Sequence, residues 1–255
     1  MSDDDIIRLE RHGAVLRVTL NRPAKRNALN EAIATAFEAL PSSIGSEIRA
    51  MVLDGEGPHF CAGLDLAEQE VRAPFDVVQL SRRWHAIKER LQFGALPIVA
   101  ALRGGVIGGG FELASVAHVR IADSTTFFQL PEGRRGIFIG GGGSVRIARL
   151  IGTSRLTELM LTGRRLDAAQ AERIGLVHQL VEEGRQLDVA METAKRIAEN
   201  APMVNYLIMQ ALPRIADMSA ADGLFTESLA AGLSQTAPEA QAGIADFLSR
   251  KGGRD

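Results

Sequence analysis

Three consecutive glycines followed closely by a glutamate form the stretch of this sequence best suited to chemistry. Gly108, Gly109 and Gly110 end the run VIGGG, Glu112 follows two positions later, and a second glutamate, Glu132, lies twenty positions beyond it. Glycine loses more conformational freedom on folding than any other residue, so a run of three indicates a backbone that must be approached closely. Two carboxyl groups can divide acid and base roles when their surroundings differ.

The glycines predict a set of free backbone donors at the start of a helix. The apolar run LPIVAAL (96–102) is typical of a buried strand, and a helix is expected directly after the glycines. The first N–H groups of a helix have no partner within it. Such a place stabilises either a phosphate group or an oxyanion that develops during a reaction.

Spacing excludes the two common phosphate loops. A dinucleotide-binding loop needs glycines at positions i, i+2 and i+5, and neither GGVIGGG (104–110) nor GIFIGGGG (136–143) supplies them. A Walker A loop needs Lys-Ser/Thr after its glycines, whereas Phe111 and Ser144 follow here. The oxyanion interpretation therefore remains.

A second segment could supply another donor to the same oxygen. HFCAGLDL (59–66) follows the predicted strand MVLDG (51–55), and Ala62 and Gly63 are small enough to expose the backbone. Two N–H donors from separate loops are what an oxyanion hole needs.

The rest of the chain alternates strand and helix patterns before becoming helical. Strands are predicted over 14–20, 51–55, 96–102, 119–122 and 176–181. Helices are predicted around 33–40, 77–91 and 156–163, then from Asp167 to Gly175, and from about 186 onward with breaks at Pro202, Pro213 and Pro238. This order favours a mostly parallel sheet covered by helices, with a helical C-terminal part.

Composition narrows the class of protein. Of the 255 residues 46% are hydrophobic, and the formal net charge of -2 gives no basic excess for nucleic acid. Cys61 is the single cysteine and the histidines lack ligand spacing, so neither a disulfide framework nor a metal site is expected. The acidic start and the absence of an apolar run of about 18 residues predict a cytoplasmic protein without membrane contact.

Five segments together resemble the crotonase, or enoyl-CoA hydratase/isomerase, superfamily. They are NRPAKRNALN (21–30), HFCAGLDL (59–66), LPIVAALRGGVIGGGFELA (96–114), FFQLPEGRRGIFIGGGGSVRIARLIG (127–152) and LMLTGRRLDAAQAERIGLVHQLV (159–181). The resemblance spans nearly the whole chain in family order. It implies an α/β fold: a crotonase-like ββα spiral core over 1–200 carries the acyl-CoA site, and a C-terminal helical trimerisation region covers 201–255. Homotrimers or dimers of trimers are expected.

The resemblance also implies roles for individual residues. The backbone N–H groups of Ala62 and Gly109 would form the oxyanion hole. Glu132 would be the main acid/base and Glu112 would orient the water. Coenzyme A would lie along Arg22, Lys25, Arg26 and Ala28 and along the loop residues Gly63, Leu64, Asp65 and Leu66. The substrate would be a coenzyme A thioester, with no further cofactor and no metal.

The activity implied is addition of water across the C2=C3 bond of a 2-enoyl-CoA, a step of fatty acid metabolism. Isomerisation, dehydration and thioester hydrolysis remain alternatives, as does a non-catalytic acyl-CoA-binding oligomer. The segment GRRGIFIGGGGSV (133–145) departs from the common hydratase pattern and is similar to a subgroup that includes methylthioacryloyl-CoA hydratase-like proteins. The acyl chain is therefore left open. Without the resemblance, the residues alone favour an ordinary first-turn glutamate at position 112, and they leave a solvated loop acid as the alternative at Glu132.

Overall fold

The computed structural model describes residues 5–66 and 73–251, with side chains described to residue 244. The strands are β1 Ile7–His12, β2 Val15–Leu20, β3 Ala50–Gly55, β4 Ile98–Leu102, β5 Gly105–Ile107, β6 Val119–Asp123, β7 Phe127–Gln129, β8 Arg165–Asp167 and β9 Gln179–Val181. The helices are α1 Glu31–Ala39, α2 Pro74–Gln92, α3 Gly109–Ala114, α4 Gly143–Ile151, α5 Thr153–Thr162, α6 Ala168–Arg173, α7 Gln186–Ala198, α8 Pro202–Ile215, α9 Ala220–Gln235 and α10 Pro238–Lys251.

Two sheets organise these elements. The larger has the order β1-β2-β3-β4-β6-β9 and the smaller the order β5-β7-β8. All neighbours in the larger sheet are parallel except β1 and β2. From β4 to β7 the chain alternates between the sheets: β4 and β6 join the larger sheet, and β5 and β7 follow them into the smaller one. This confirms the mostly parallel α/β architecture, and α3 begins where β5 ends.

Both faces of the larger sheet are buried. Alternate residues of β3 face opposite ways: Ala50 and Val52 pack with Ala190 and Ala194 of α7, whereas Leu53 belongs to the main core. A parallel sheet covered on both faces has strands that are apolar throughout, as the sequence indicates. Helix α7 therefore covers the face of the sheet opposite the main core.

Several local details differ from the expectations. The sequence pattern does not predict the three-residue strands β5, β7 and β8, nor β1, whose IRLERH pattern is charged, as suits an edge strand. The strand expected over 176–181 is limited to β9. The predicted break at Pro213 is wrong: Pro213 lies in the last turn of α8, where a missing N–H removes only one intrahelical hydrogen bond.

A buried polar cluster fixes the register of β2 on β3 next to the loop that leaves β3. Asp54 is 6% exposed and pairs across the strands with Thr19. Thr19 Oγ1 donates to Asp54 Oδ1 at 2.6 Å, and Arg17 Nη2 donates to Oδ2 at 2.7 Å. Hydrogen-bonded ionised groups at this burial make the register specific, because a shifted pairing leaves them without partners.

Helix lengths and composition bear on the expectation that the protein has no membrane-spanning segment. Among residues 5–66 and 73–251, no helix combines the length and the apolar character that a membrane span requires.

The Asp54→Ala variant should lower the free energy of unfolding by about 3 kcal/mol, because the buried Thr19 hydroxyl loses its acceptor and Arg17 keeps only its ion pair with the more exposed Glu10. Urea denaturation measures the change. The matched control is Asp217→Ala, which removes the exposed ion pair with Arg149 and should cost under about 1 kcal/mol. Equal losses in the two variants would contradict the role given to this cluster.

Candidate active site

Two distant backbone segments run side by side at the start of α3. Cys61 N donates to Gly105 O at 3.1 Å, and Ile107 N donates to Cys61 O at 3.0 Å. This pairing brings Gly63 against the glycine run, where a β-carbon added to Gly63 would lie 3.1 Å from Gly109 N. Glycine at position 63 is required by this approach and by its φ of +88°. The two loops expected to converge therefore do so.

The expected role of the Ala62 N–H requires correction. That group donates to Arg26 O at 2.9 Å, so it is already engaged in tying the loop to the 22–28 segment. Gly63 then turns the chain, because its φ is positive. Alternation along a strand cannot reveal which N–H faces the site once such a turn intervenes.

Leu64 is the residue of the 62–66 loop whose backbone nitrogen lies next to Gly109. The main-chain groups on either side of it bind Leu29: Leu29 N donates to Gly63 O at 2.7 Å and Asp65 N donates to Leu29 O at 2.9 Å. A β-carbon added to Gly109 would lie 3.4 Å from Leu64 N. Within the described part of the chain, neither N–H, of Leu64 or of Gly109, has a backbone acceptor. Both donors are therefore available to one oxygen atom placed between them.

Arg22, expected along coenzyme A, holds the 62–66 loop in place. This loop carries the Leu64 N–H and is called the donor loop below. Its guanidinium donates to Ala28 O at 2.6 Å and to Asp65 Oδ2 at 3.0 Å. The clamp joins the 22–28 segment to the 62–66 loop. Of the other residues expected along coenzyme A, Ala28, Gly63 and Asp65 are buried, and Lys25, Arg26, Leu64 and Leu66 are exposed.

Glu112 is surrounded by hydrogen-bond donors from two segments, helix α2 and the glycine run that leads into α4. Its Oε1 accepts hydrogen bonds from Gly141 N at 2.8 Å and Gly143 N at 2.9 Å, and its Oε2 lies 3.3 Å from Lys88 Nζ. Helix α4 begins at Gly143 and has no capping side chain of its own. The carboxylate of Glu112 therefore caps α4, which the positive end of the helix favours.

Two of the four glycines of 140–143, Gly141 and Gly143, have a steric explanation that the sequence did not reveal. A β-carbon at Gly141 would overlap Lys88 Nζ and Glu112 Oε2, and one at Gly143 would lie 2.8 Å from Glu112 Cγ. Because glycine has no side chain, Lys88 and Glu112 can both pack against the backbone here. The sequence carried one indication of Lys88: it falls on the apolar face of α2, four residues after Trp84 and three before Leu91.

Glu132 has surroundings unlike those of Glu112. It is 8% exposed, and its Oε2 is buried without a hydrogen-bond partner among the described residues. A β-carbon added to Gly108 would lie 2.5 Å from Glu132 Oε1, so this carboxyl lies against the same glycine run. Burial raises the pKa of Glu132, the negative charge of Glu112 raises it further, and Arg135 opposes the rise. The surroundings of Glu132 thus favour its neutral form more than those of an ordinary surface glutamate.

The remaining reactive groups near the site are not placed to act. Burial raises the pKa of the Cys61 thiol to about 12, so it is not a nucleophile at neutral pH. Arg134 is turned toward α5, where it donates to Thr162 O. The described residues contain no cluster of three His, Cys, Asp or Glu that could hold a metal ion.

Comparison with known proteins identifies the class of protein. The model of the enoyl-CoA hydratase/isomerase family matches residues 10–252, so the chain belongs to that family. A short-chain-enoyl-CoA hydratase of Clostridium acetobutylicum is 32% identical over 246 residues, covering 95% of this chain and 94% of that protein. A 2,3-dehydroadipyl-CoA hydratase of Escherichia coli is also 32% identical, with 95% of each chain covered. A solved structure from Rhodopseudomonas palustris has a TM-score of 0.96 and 44% identity over 98% of this chain and 97% of its own.

The Gly63→Ala variant should lose about 100-fold in kcat/KM on an enoyl-CoA, because a β-carbon there presses on Ile107 O and Gly109 N and displaces a donor. Gly184→Ala is the control: its φ of +80° is similar, but a β-carbon there meets nothing within 4 Å. Gly184→Ala should lose about 1–2 kcal/mol of stability from backbone strain, and Gly63→Ala should lose more because its β-carbon also overlaps backbone atoms. Equal activity in the two variants would contradict the donor geometry.

Proposed function

We propose that this protein is an enoyl-CoA hydratase, which adds water across the C2=C3 bond of a 2-enoyl-CoA. The observation that carries the proposal is the pair of carboxyl groups in unlike surroundings beside two unengaged backbone N–H groups. Family membership and the relatives named as hydratases support it.

In the proposed mechanism the thioester oxygen lies between the N–H groups of Leu64 and Gly109. Water attacks C3, and the electron pair of the double bond moves onto the thioester as an enolate. The two N–H donors stabilise this negative charge, and such donors contribute roughly 2.7–4 kcal/mol each in comparable sites. The Ala62 N–H takes no part, since Arg26 occupies it.

Proton transfer is assigned to Glu132. Its unbonded Oε2 accepts a proton from the attacking water, and the same proton is then delivered to C2, so the net addition is OH to C3 and H to C2. Glu112 orients the water. A carboxylate offers about four lone-pair positions, and three of those on Glu112 are taken by Gly141, Gly143 and Lys88. The remaining position, on Oε2, accepts from the water.

Substrate binding is proposed along the donor loop. The exposed charges of Lys25 and Arg26 suit the phosphates of coenzyme A, and the exposed Leu64 and Leu66 suit its apolar arm. Arg22 is assigned an indirect role, because its guanidinium is bound to Asp65 and Ala28. No cofactor beyond the coenzyme A thioester enters the mechanism.

Isomerisation of a 3-enoyl-CoA is the second candidate, and the engagement of Glu112 favours it. A double-bond shift needs one carboxyl group to remove and return a proton, and Glu132 alone supplies it. Incubation with a 3-enoyl-CoA and with a 2-enoyl-CoA separates the two activities. If the protein turned over only the 3-enoyl-CoA, its proposed activity would be isomerisation instead of hydration.

We also propose a homotrimer or a dimer of trimers and a cytoplasmic location. Helices α8 and α9 expose a set of large apolar side chains, namely Tyr206, Leu212, Phe225, Leu229 and Leu233. Association would bury them, since monomeric proteins rarely expose such patches. Sedimentation velocity at micromolar concentration should show trimers or hexamers, and a monomer alone would contradict the assembly. The buried free thiol of Cys61 suits a reducing compartment.

The Glu132→Gln variant should reduce hydration of crotonyl-CoA by about 10²–10⁴-fold, because the amide cannot take the proton of the water. Loss of the enoyl absorbance measures the rate. The exposed Glu183→Gln is the control and should retain the wild-type rate. A wild-type protein that consumes no enoyl-CoA overturns the proposed function, and an unchanged rate in Glu132→Gln overturns the assignment of the base.

The pH dependence gives a second check on Glu132. Hydration requires this carboxyl to be ionised, and burial raises its pKa. The protonated, inactive form therefore persists to higher pH, and kcat/KM should fall on the acid side with a midpoint above the pKa of an ordinary glutamate, about 4.3. A midpoint at or below that value would contradict the role of Glu132.

A further inference from the structure

Lys88 is a buried charge that the proposed mechanism does not require. It lies on α2 and is 1% exposed. Lysines are almost never fully buried unless paired, because removing an ammonium from water is costly. Its one hydrogen bond among the described residues is to Glu112 Oε2, and its ammonium also lies 5.5 Å from the centre of the Trp84 ring.

The contacts of Glu112 fit the ionised carboxylate. Each of the three neighbours is an N–H donor, so each needs a lone pair from a carboxylate oxygen. Two of them, Gly141 N and Gly143 N, hold Oε1, and Lys88 alone holds Oε2. Without Lys88, no donor among these three would hold Oε2. The carboxylate group of Glu112 could then turn and bring its negative charge closer to Glu132.

The backbone is shaped to admit this pair. A β-carbon at Gly141 would overlap both Lys88 Nζ and Glu112 Oε2. The close packing of ammonium, carboxylate and bare peptide therefore occupies the space that a side chain at position 141 would take. A lysine that served only to fill space would need no such clearance around its charged end.

We propose that Lys88 is a positioning residue of the reaction: it neutralises Glu112 and fixes its Oε2, so that Glu132 alone exchanges the proton. This role rests on the hydration proposed above. Lys88 acts through Glu112 and is given no contact with the substrate.

Other charged and titratable groups face Lys88 and Glu112 from several elements. His85 and Glu89 lie on α2 with Lys88, Arg146 approaches from α4, and Cys61 and Glu132 border the pair from their loops. Arg146 repels Lys88 and attracts Glu112, but its Nε is bound to Gln92 Oε1 at 2.6 Å. Lys88 is the cation that contacts Glu112 directly among the described residues.

The test compares Lys88→Met, Lys88→Gln and the exposed control Lys195→Met. Loss of the ammonium leaves two carboxyl groups close together, so the acid limb of kcat/KM should move to higher pH by about one unit in Lys88→Met. We expect kcat to fall about 10–100-fold with little change in KM. Lys88→Gln, which keeps a donor without the charge, should show the same shift in the acid limb with a smaller loss in kcat. Lys195→Met should match the wild type.

The double variant Lys88→Met/Glu112→Gln separates positioning from folding. Removing both charges should restore part of the thermal stability lost in Lys88→Met, because no unpaired buried charge remains. Its acid limb should coincide with that of Glu112→Gln, since Lys88 acts through Glu112.

Three results would overturn the proposal. The first is a folded Lys88→Met variant with the wild-type acid limb and kcat. The second is an equal shift of the limb in the Glu112→Gln background. The third is additive stability losses in the double-mutant cycle. The cycle is measured without substrate, so it tests the pair even if the wild type hydrates no enoyl-CoA, an outcome that overturns only the proposed function.

Discussion

A carboxylate in a protein interior needs donors, and the structure around Glu112 meets that need with three of them. Gly141 N, Gly143 N and Lys88 Nζ come from two elements that are distant in sequence, and they meet at one side chain. This requirement explains Gly141 and Gly143 of the glycine run, the lysine on the apolar face of α2 and the start of α4 without a cap of its own. One buried charge thus fixes three elements around the site.

The two glutamates differ because their surroundings differ, although both are buried. Glu112 is surrounded by donors, whereas the Oε2 of Glu132 has none among the described residues. Donors favour the charged form, and desolvation favours the neutral form. In the proposed mechanism this difference separates the holding of a water molecule from the transfer of its proton, with no need for residues of different type.

Much of the architecture could be predicted from the sequence. Apolar runs marked β3, β4 and β6, the glycines marked the start of α3, and Asp167 caps α6 as expected, through a hydrogen bond from Gln170 N. The details that failed depend on tertiary contacts. The positive φ of Gly63 decides which backbone N–H points into the site. Asp65 binds the Arg22 guanidinium, which sequence alone assigned to coenzyme A. Neither effect leaves a local pattern in the sequence.

Glu112 makes more hydrogen bonds than Glu132, and this difference affects how the reaction of such a protein can change during evolution. Glu112 is the cap of α4 and the counterion of Lys88, so its replacement disturbs the scaffold as well as the reaction. Glu132 Oε2 holds nothing in the scaffold together. Duplicated genes can therefore alter position 132 and acquire a new reaction on an intact framework, while position 112 stays under the selection that acts on folding itself.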